Sequence, residues 1–161
     1  MLRPKTWDKT TDANIAKLHT LIRVRVRMFI CHLEDQGIKL RVYSGYRSPD
    51  EQLQIWQKGR DKNGKIVDKK KVVTNAKPFE SYHNYGLAID CVEIRDGKAI
   101  WENEKWNEIA QVAEFYGFDW GGHFMNTDKP HFQITFGLTW QKLYKLYDSK
   151  KMKDGYVIIN P

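Results

Sequence analysis

His83 and Asp90 stand seven residues apart, either side of Gly86, in "SYHNYGLAID" (Ser81 to Asp90). Farther on, in "TDKPHFQI" (Thr127 to Ile134), Asp128 precedes His131 by three. Side chains of these kinds bind divalent cations and move protons. A catalytic zinc usually takes three ligands from His, Asp or Glu and keeps a fourth position for water. His83, Asp90 and His131 would make such a His₂Asp set for one Zn2+ ion. Zinc brings the pKa of its water towards neutrality. Hydrolysis of an amide then needs a carboxylate to take that proton and pass it to the leaving amine. Asp128 is placed for that task. Either pair alone is a weak signal, because both spacings arise often by chance among surface polar residues.

The spacing also constrains the backbone. Residues three apart on a regular strand face opposite sides. Asp128 and His131 therefore share a pocket only if the chain bends between them. Pro130 lacks an N–H and biases Lys129 towards extended geometry, which fixes a bend before a strand starts at His131. Gly86 likewise lets the chain turn after His83 before Asp90 is delivered from a strand.

The elements that must hold these residues can be read from apolar periodicity. Ile15, Leu18, Ile22, Val26, Phe29 and Leu33 recur at helical steps and predict one helix, capped by Thr11 or Asp12 and ended by Gly37. "IKLRVYSGYR" (Ile38 to Arg47) alternates like a strand and runs out at Gly45. "SPDE" (Ser48 to Glu51) is a capping box with proline at the first helical position, and the helix it opens should stop near Gly59. Lys58 to Glu80 is a lysine-rich excursion with a turn at Asn63–Gly64, and long connections of this kind are often functional. "LAIDCVEI" (Leu87 to Ile94) is a strand, "RDGK" a tight turn and "AIW" a short return. A third helix follows around Trp106 to Tyr116. "FDWGGHF" is an aromatic turn, "HFQIT" a short strand, and a last helix covers about Thr139 to Lys150. Helices mixed with short antiparallel strands define an α+β class, a single small domain with an antiparallel sheet flanked by helices.

Composition narrows the function classes. A chain of 161 residues with 41% hydrophobic and 13% aromatic content can bury a core and is not disordered. No stretch approaches the roughly 18 apolar residues of a membrane span, so membrane insertion is not expected. The N-terminal "MLRPKTWDKTTDANIAK" has no apolar core of a signal peptide, so synthesis in the cytoplasm without that route is expected. Cys31 and Cys91 are expected as reduced apolar fillers. Cys91 follows Asp90 directly, and strand alternation turns its sulfur away from any shared site. The net charge of +7 predicts attraction to a polyanion, either a nucleic acid or a bacterial wall with its phosphates and carboxylates.

Three segments together resemble a family. "SYHNYGLAID" looks like the S-x-H-x-x-G-x-A-x-D motif of the zinc peptidases that include D-Ala-D-Ala dipeptidases and carboxypeptidases. The L-alanyl-D-glutamate peptidases of phage endolysins belong to the same family. "FDWGGHFMNTDKPHFQI" is similar to its second motif, where an acidic residue precedes the last zinc histidine by three. "SGYRSPDEQLQIW" (Ser44 to Trp56) resembles an upstream segment carrying arginine within Y-R-S-x-x-x-Q. The resemblance implies a Hedgehog/DD-peptidase-like fold, zinc ligation by His83, Asp90 and His131, Asp128 as general base and acid, and Arg47 in the substrate cleft. There Arg47 could stabilise an oxyanion or pair with a substrate carboxylate. Ser81 could bond the substrate or only its own turn. His123 is a cleft residue rather than a fourth ligand. His19 and His32 are structural, and Trp120 and Phe132 belong to core or cleft wall.

Aspartate at 128, within "D-x-P-H-F", together with "WGG" at Trp120 to Gly122, resembles the endolysin branch that cuts L-Ala–D-Glu bonds. The other branches typically carry glutamate there. His123 and Gln133 depart from the family's usual residues. The expectation is therefore a zinc-dependent hydrolase of peptidoglycan stem peptides, monomeric, with no separate wall-binding domain. A phage lysin leaving through another protein's pore would account for the missing signal peptide. A D-Ala–D-Ala carboxypeptidase or dipeptidase is the enzymatic alternative, and a zinc-containing binding module the non-enzymatic one. Asp128 argues against the module, since a structural site needs no acid beside an open metal position. A nucleic-acid binder would rest on charge alone and shows no recognition motif.

Overall fold

In the computed structural model, which describes residues 3–161, a short helix and a longer one come first. Helix α1 (Lys9–Ala16) is capped by Asp8, whose carboxylate accepts from the Thr11 N–H. Helix α2 (Thr20–Asp35) follows. The single helix expected across Ile15 to Leu33 is thus two, and the cap is Asp8 rather than Thr11 or Asp12. The break lies at His19. Its N–H donates to the Gly86 carbonyl, and its ring Nδ1 accepts from the Leu21 N–H to cap α2. Both helices turn the same apolar side inward, so the periodicity runs unbroken through the joint. Gly37, at φ +82°, ends α2 with the Ile38 N–H donating back to Leu33.

Strand β1 (Leu40–Ser44) leads to α3 (Pro49–Gln57), where both bonds of the Ser48/Glu51 capping box form. After the 58–80 excursion come β2 (Ala88–Arg95), β3 (Lys98–Ile100), α4 (Trp106–Phe115), β4 (Asp119–Trp120) and β5 (His131–Gln133). All pairings are antiparallel, in the order β1-β2-β5-β4 with β3 also on β2. Helix α5 (Trp140–Asp148) and a small hairpin, β6 (Met152–Lys153) with β7 (Tyr156–Val157), close the chain. The α+β class holds. The final hairpin stands where the sequence gives only a tail.

Register assigns the two faces of the sheet. Opposed residues point the same way, so Val42 with Cys91 and Ile89 with Phe132 face the core. There they meet Ile22, Val26, Phe29 and Leu33 of α2, all fully buried. Each such side chain contributes about 1.5–3 kcal/mol by leaving water. The alternate residues, Asp90 paired with His131, face the other side. Both cysteines are free and buried, with Cys91 on the core side as the alternation requires. Among the described residues no helix is long and apolar enough to cross a membrane.

Candidate metal centre and active-site cleft

His83 sits in a 3-10 turn, Tyr82–Tyr85, whose end is Gly86 in the left-handed region at φ +67°. A Cβ on Gly86 would lie 2.7 Å from the His19 backbone nitrogen, so the turn can pack against the helix joint only with glycine there. The strand that follows delivers Asp90 beside His131 of β5. Asp128 and His131 are joined by a turn in which the His131 N–H donates to the Asp128 carbonyl at 3.1 Å. The expected bend before His131 is present. Gly121 makes room for it: the Asp128 N–H donates to its carbonyl at 2.8 Å, and a Cβ would overlap the Asp128 carbonyl oxygen.

The three expected ligands converge, with one donor atom from each of His83, Asp90 and His131 within 4.8 Å of the others. His83 Nε2 is 3.2 Å from one Asp90 oxygen, and His131 Nδ1 is 3.2 Å from the other. The far nitrogen of each ring is engaged elsewhere. His83 Nδ1 donates to the Gly45 carbonyl at 2.7 Å, and His131 Nε2 to Gln133 Oε1 at 2.8 Å. The Gly45 carbonyl only accepts, so neutral His83 carries its proton on Nδ1 and leaves Nε2 free. His131 stands between two acceptors, the Asp90 carboxylate and Gln133 Oε1, and donates to both when charged. Outer partners of this kind orient metal-binding histidines. The donor set, with both rings held by outer partners, fits a divalent ion such as zinc. His83 and His131 are almost fully buried, and Asp90 is 13% exposed.

The charges are coupled. Burial opposes ionisation of Asp90, but the adjacent His83 and His131 overcome it and hold this carboxyl well below the usual range. His131 shows the reverse balance: burial disfavours its charge, while the bond to Asp90 raises its pKa. Asp128 is raised, by partial burial first and then by the negative charge of Asp90. A carboxyl raised in this way sits nearer the working pH of a proton carrier.

These residues line one cleft of about 360 Å³, which also holds Arg47, Ser81 and Asp128. Arg47 Nη2 lies 3.6 Å from Asp90 Oδ2 and donates to Ser44 Oγ at 3.2 Å. Its backbone is bonded to the His83 turn in both directions, through Arg47 N–H to the His83 carbonyl and Asn84 Nδ2 to the Arg47 carbonyl. Ser81 Oγ accepts from the His83 N–H at 3.3 Å, so it caps its own turn. His123 is not brought to the cleft. It is largely exposed, 3.5 Å from Glu114 and edge-on to Trp120. The 3-10 turn Gly121–His123 carries its side chain outward. His19 and His32 stay structural, bonded to the Val157 carbonyl and the Tyr116 hydroxyl. Trp120 and Phe132 belong to the core.

Two further contributors line the cleft. Tyr43 enters at a β-bulge, where the register slips between Val42 and Ser44. Bulges re-aim side chains beside sites of this kind. The ring meets Trp101 edge-on at 5.4 Å, and burial together with the Asp90 charge keeps its hydroxyl protonated. The other contributor is the 58–80 excursion, whose Val73, Thr74, Ala76 and Glu80 form a wall.

Comparison with known proteins gives a consistent pattern. A family model described as VanY, D-alanyl-D-alanine carboxypeptidase, matches residues 15–134. The chain is 34% identical to the peptidoglycan L-alanyl-D-glutamate endopeptidase CwlK of Bacillus subtilis (strain 168), with 73% of each protein covered. In fold it resembles the L-Ala D-Glu endopeptidase ChiX of Serratia marcescens, with a TM-score of 0.58 and 24% identity over 82% of this chain and 91% of that one. It also resembles the D,D-pentapeptidase VanY of a VanB-type resistance cassette, solved in complex with Zn(II). That likeness has a TM-score of 0.58 and 18% identity, over 81% of this chain and 78% of the other.

Proposed function

Because this chain belongs to the VanY D-alanyl-D-alanine carboxypeptidase family, we propose that it is a zinc-dependent peptidoglycan hydrolase that cuts stem-peptide amides, most readily between L-Ala and D-Glu. The observation that carries the reading is the convergence of His83, Asp90 and His131 with Asp128 in one cleft. The relative CwlK, 34% identical, is named for that bond. Zinc bound by the three ligands would supply Lewis acidity and a water acidified towards neutrality.

The chain's own residues do the rest. Asp128 takes the proton from the attacking water and returns it to the leaving amine nitrogen. Arg47 offers a fixed guanidinium to the negative charge that develops on the scissile carbonyl oxygen. Gly45 keeps His83 in the tautomer that leaves Nε2 free for the metal, and Gln133 orients the His131 ring. The +7 charge attracts the enzyme to an anionic wall. The chain acts on the wall after release from the cytoplasm, as a phage-type endolysin would in lysing its host. Digestion of a defined muropeptide followed by mass spectrometry tests the bond. A new D-Glu amino terminus is expected; release of D-alanine instead would transfer the assignment to the carboxypeptidase reading.

A further inference from the structure

Arg47 is held by more than its place in the cleft. Its Nη1 donates to Gln52 Oε1 at 3.0 Å. Gln52 is fully buried, although α3 buries no other residue. At its other end Gln52 Nε2 donates to the Ala76 carbonyl at 2.8 Å, twenty-four residues along the chain. Arginine only donates and a carbonyl only accepts, so the amide has one orientation that satisfies both. Gln52 therefore joins the cleft arginine to the excursion that walls the cleft.

We propose that Gln52 is a positioning residue that fixes the Arg47 guanidinium towards the reacting carbonyl and ties it to the 58–80 segment, making that segment part of the catalytic apparatus.

The segment is itself anchored. Arg60 donates to the Thr74 carbonyl at 3.0 Å, to Asn75 Oδ1 at 3.1 Å and to the Trp56 carbonyl, with its guanidinium 4.8 Å from the Trp56 ring centre. The Gly59 carbonyl accepts from Val67 and Asp68 at 2.9 and 3.1 Å, closing the base of the loop. Thr74 to Ala76 is thus a braced strap. Gln52 passes its position to Arg47. A residue that merely filled the core would tolerate an apolar isostere, since removing both partners of a hydrogen bond together is often nearly neutral. Here the partners remain, and one of them is the cleft arginine.

The inference rests on the reading of Arg47 given above, and one set of assays separates the two. The zinc-loaded full chain and its Arg47→Ala, Gln52→Met and double variants are compared on a soluble stem peptide, with kcat, KM, zinc content and Tm recorded. Gln52→Met should lower kcat on the order of ten- to a hundredfold, as a slight misplacement of a catalytic group does, with KM and zinc content little changed. It should cost nothing further in the Arg47→Ala background. Wild-type kcat in Gln52→Met, or losses that multiply in the double variant, would overturn the proposal. Should Gln52→Met not fold, Arg60→Ala decides, because it loosens the 74–76 strap without touching the core. A severalfold kcat loss that vanishes beside Arg47→Ala supports the proposal, and an equal loss in both backgrounds overturns it. Full activity of Arg47→Ala alone would instead overturn the role of the arginine, and an inactive wild type the function itself.

Discussion

Asp90 touches both imidazoles at 3.2 Å, and that contact gives the metal-free protein a definite pH dependence. His131 is raised above the ~6.5 of a free histidine, so its contribution to stability is complete below that value and fades as pH rises through the folded pKa. Asp90 is lowered, so its contribution is complete above the ~3.9 of a free aspartate and fades in strong acid. Through this pair the chelated chain should lose Tm on the alkaline side as His131 gives up its proton, while buried His19, lowered in pKa, works the other way below about pH 6.5. In Asp90→Asn that alkaline slope should flatten. Zinc reverses the trend, since it competes with the histidine protons, and the Tm gain it gives should grow with pH. A pH-independent Tm in the stripped protein would contradict this coupling. Asp128 makes a separate prediction. Asp128→Asn should keep the metal yet lower kcat by about a hundred- to ten-thousandfold.

At the scale of elements, short segments are held in place by polar anchors as much as by apolar contact. Asp8 caps α1, accepts from the Thr11 hydroxyl at 2.8 Å and receives both Nε and Nη2 of Arg41 from β1, at 3.1 and 2.9 Å. The Thr11 hydroxyl in turn accepts from the Val42 N–H at 3.0 Å. Asp8→Ala should cost about 2 kcal/mol, a lost cap plus unpaired buried donors, measurable by urea denaturation. This anchor shows where sequence reading stops. The Asp8 cap precedes the periodic run by several residues, and His19 breaks the helix without breaking its apolar period. The capping box at Ser48, the strand carrying Asp90 and the turn before His131 were legible because each has a local chemical cause. The Tyr43 bulge depends on a partner strand tens of residues away, and Y-R-S-x-x-x-Q sets Gln52 five residues after Arg47 without showing that its other end meets the Ala76 carbonyl. His83, Asp90, Asp128 and His131, which share the cleft, could be grouped because two motifs had to meet, whereas the outward turn of His123 depends on how Gly121 and Gly122 fold.

For the whole molecule, the fold uses one face of its sheet for the core and the other for chemistry. Phe132 lies at that division, fully buried against Phe29 at 5.4 Å, with His131 beside it facing the cleft. Phe132→Ala should cost about 3–5 kcal/mol, and calorimetry would show whether zinc affinity falls with it. Net charge acts at the same scale. Binding of the +7 chain to purified sacculi should weaken steadily as salt is raised past about 0.1 M, while cleavage of a soluble peptide changes little. Zinc titration of the chelator-stripped chain, followed by calorimetry and by cleavage of the soluble peptide, tests the centre most directly. One equivalent of zinc should bind and restore cleavage, and the His83→Ala and His131→Ala chains should do neither. Cleavage that persists in the stripped chain, or undiminished zinc affinity in those variants, would contradict a single His₂Asp metal centre.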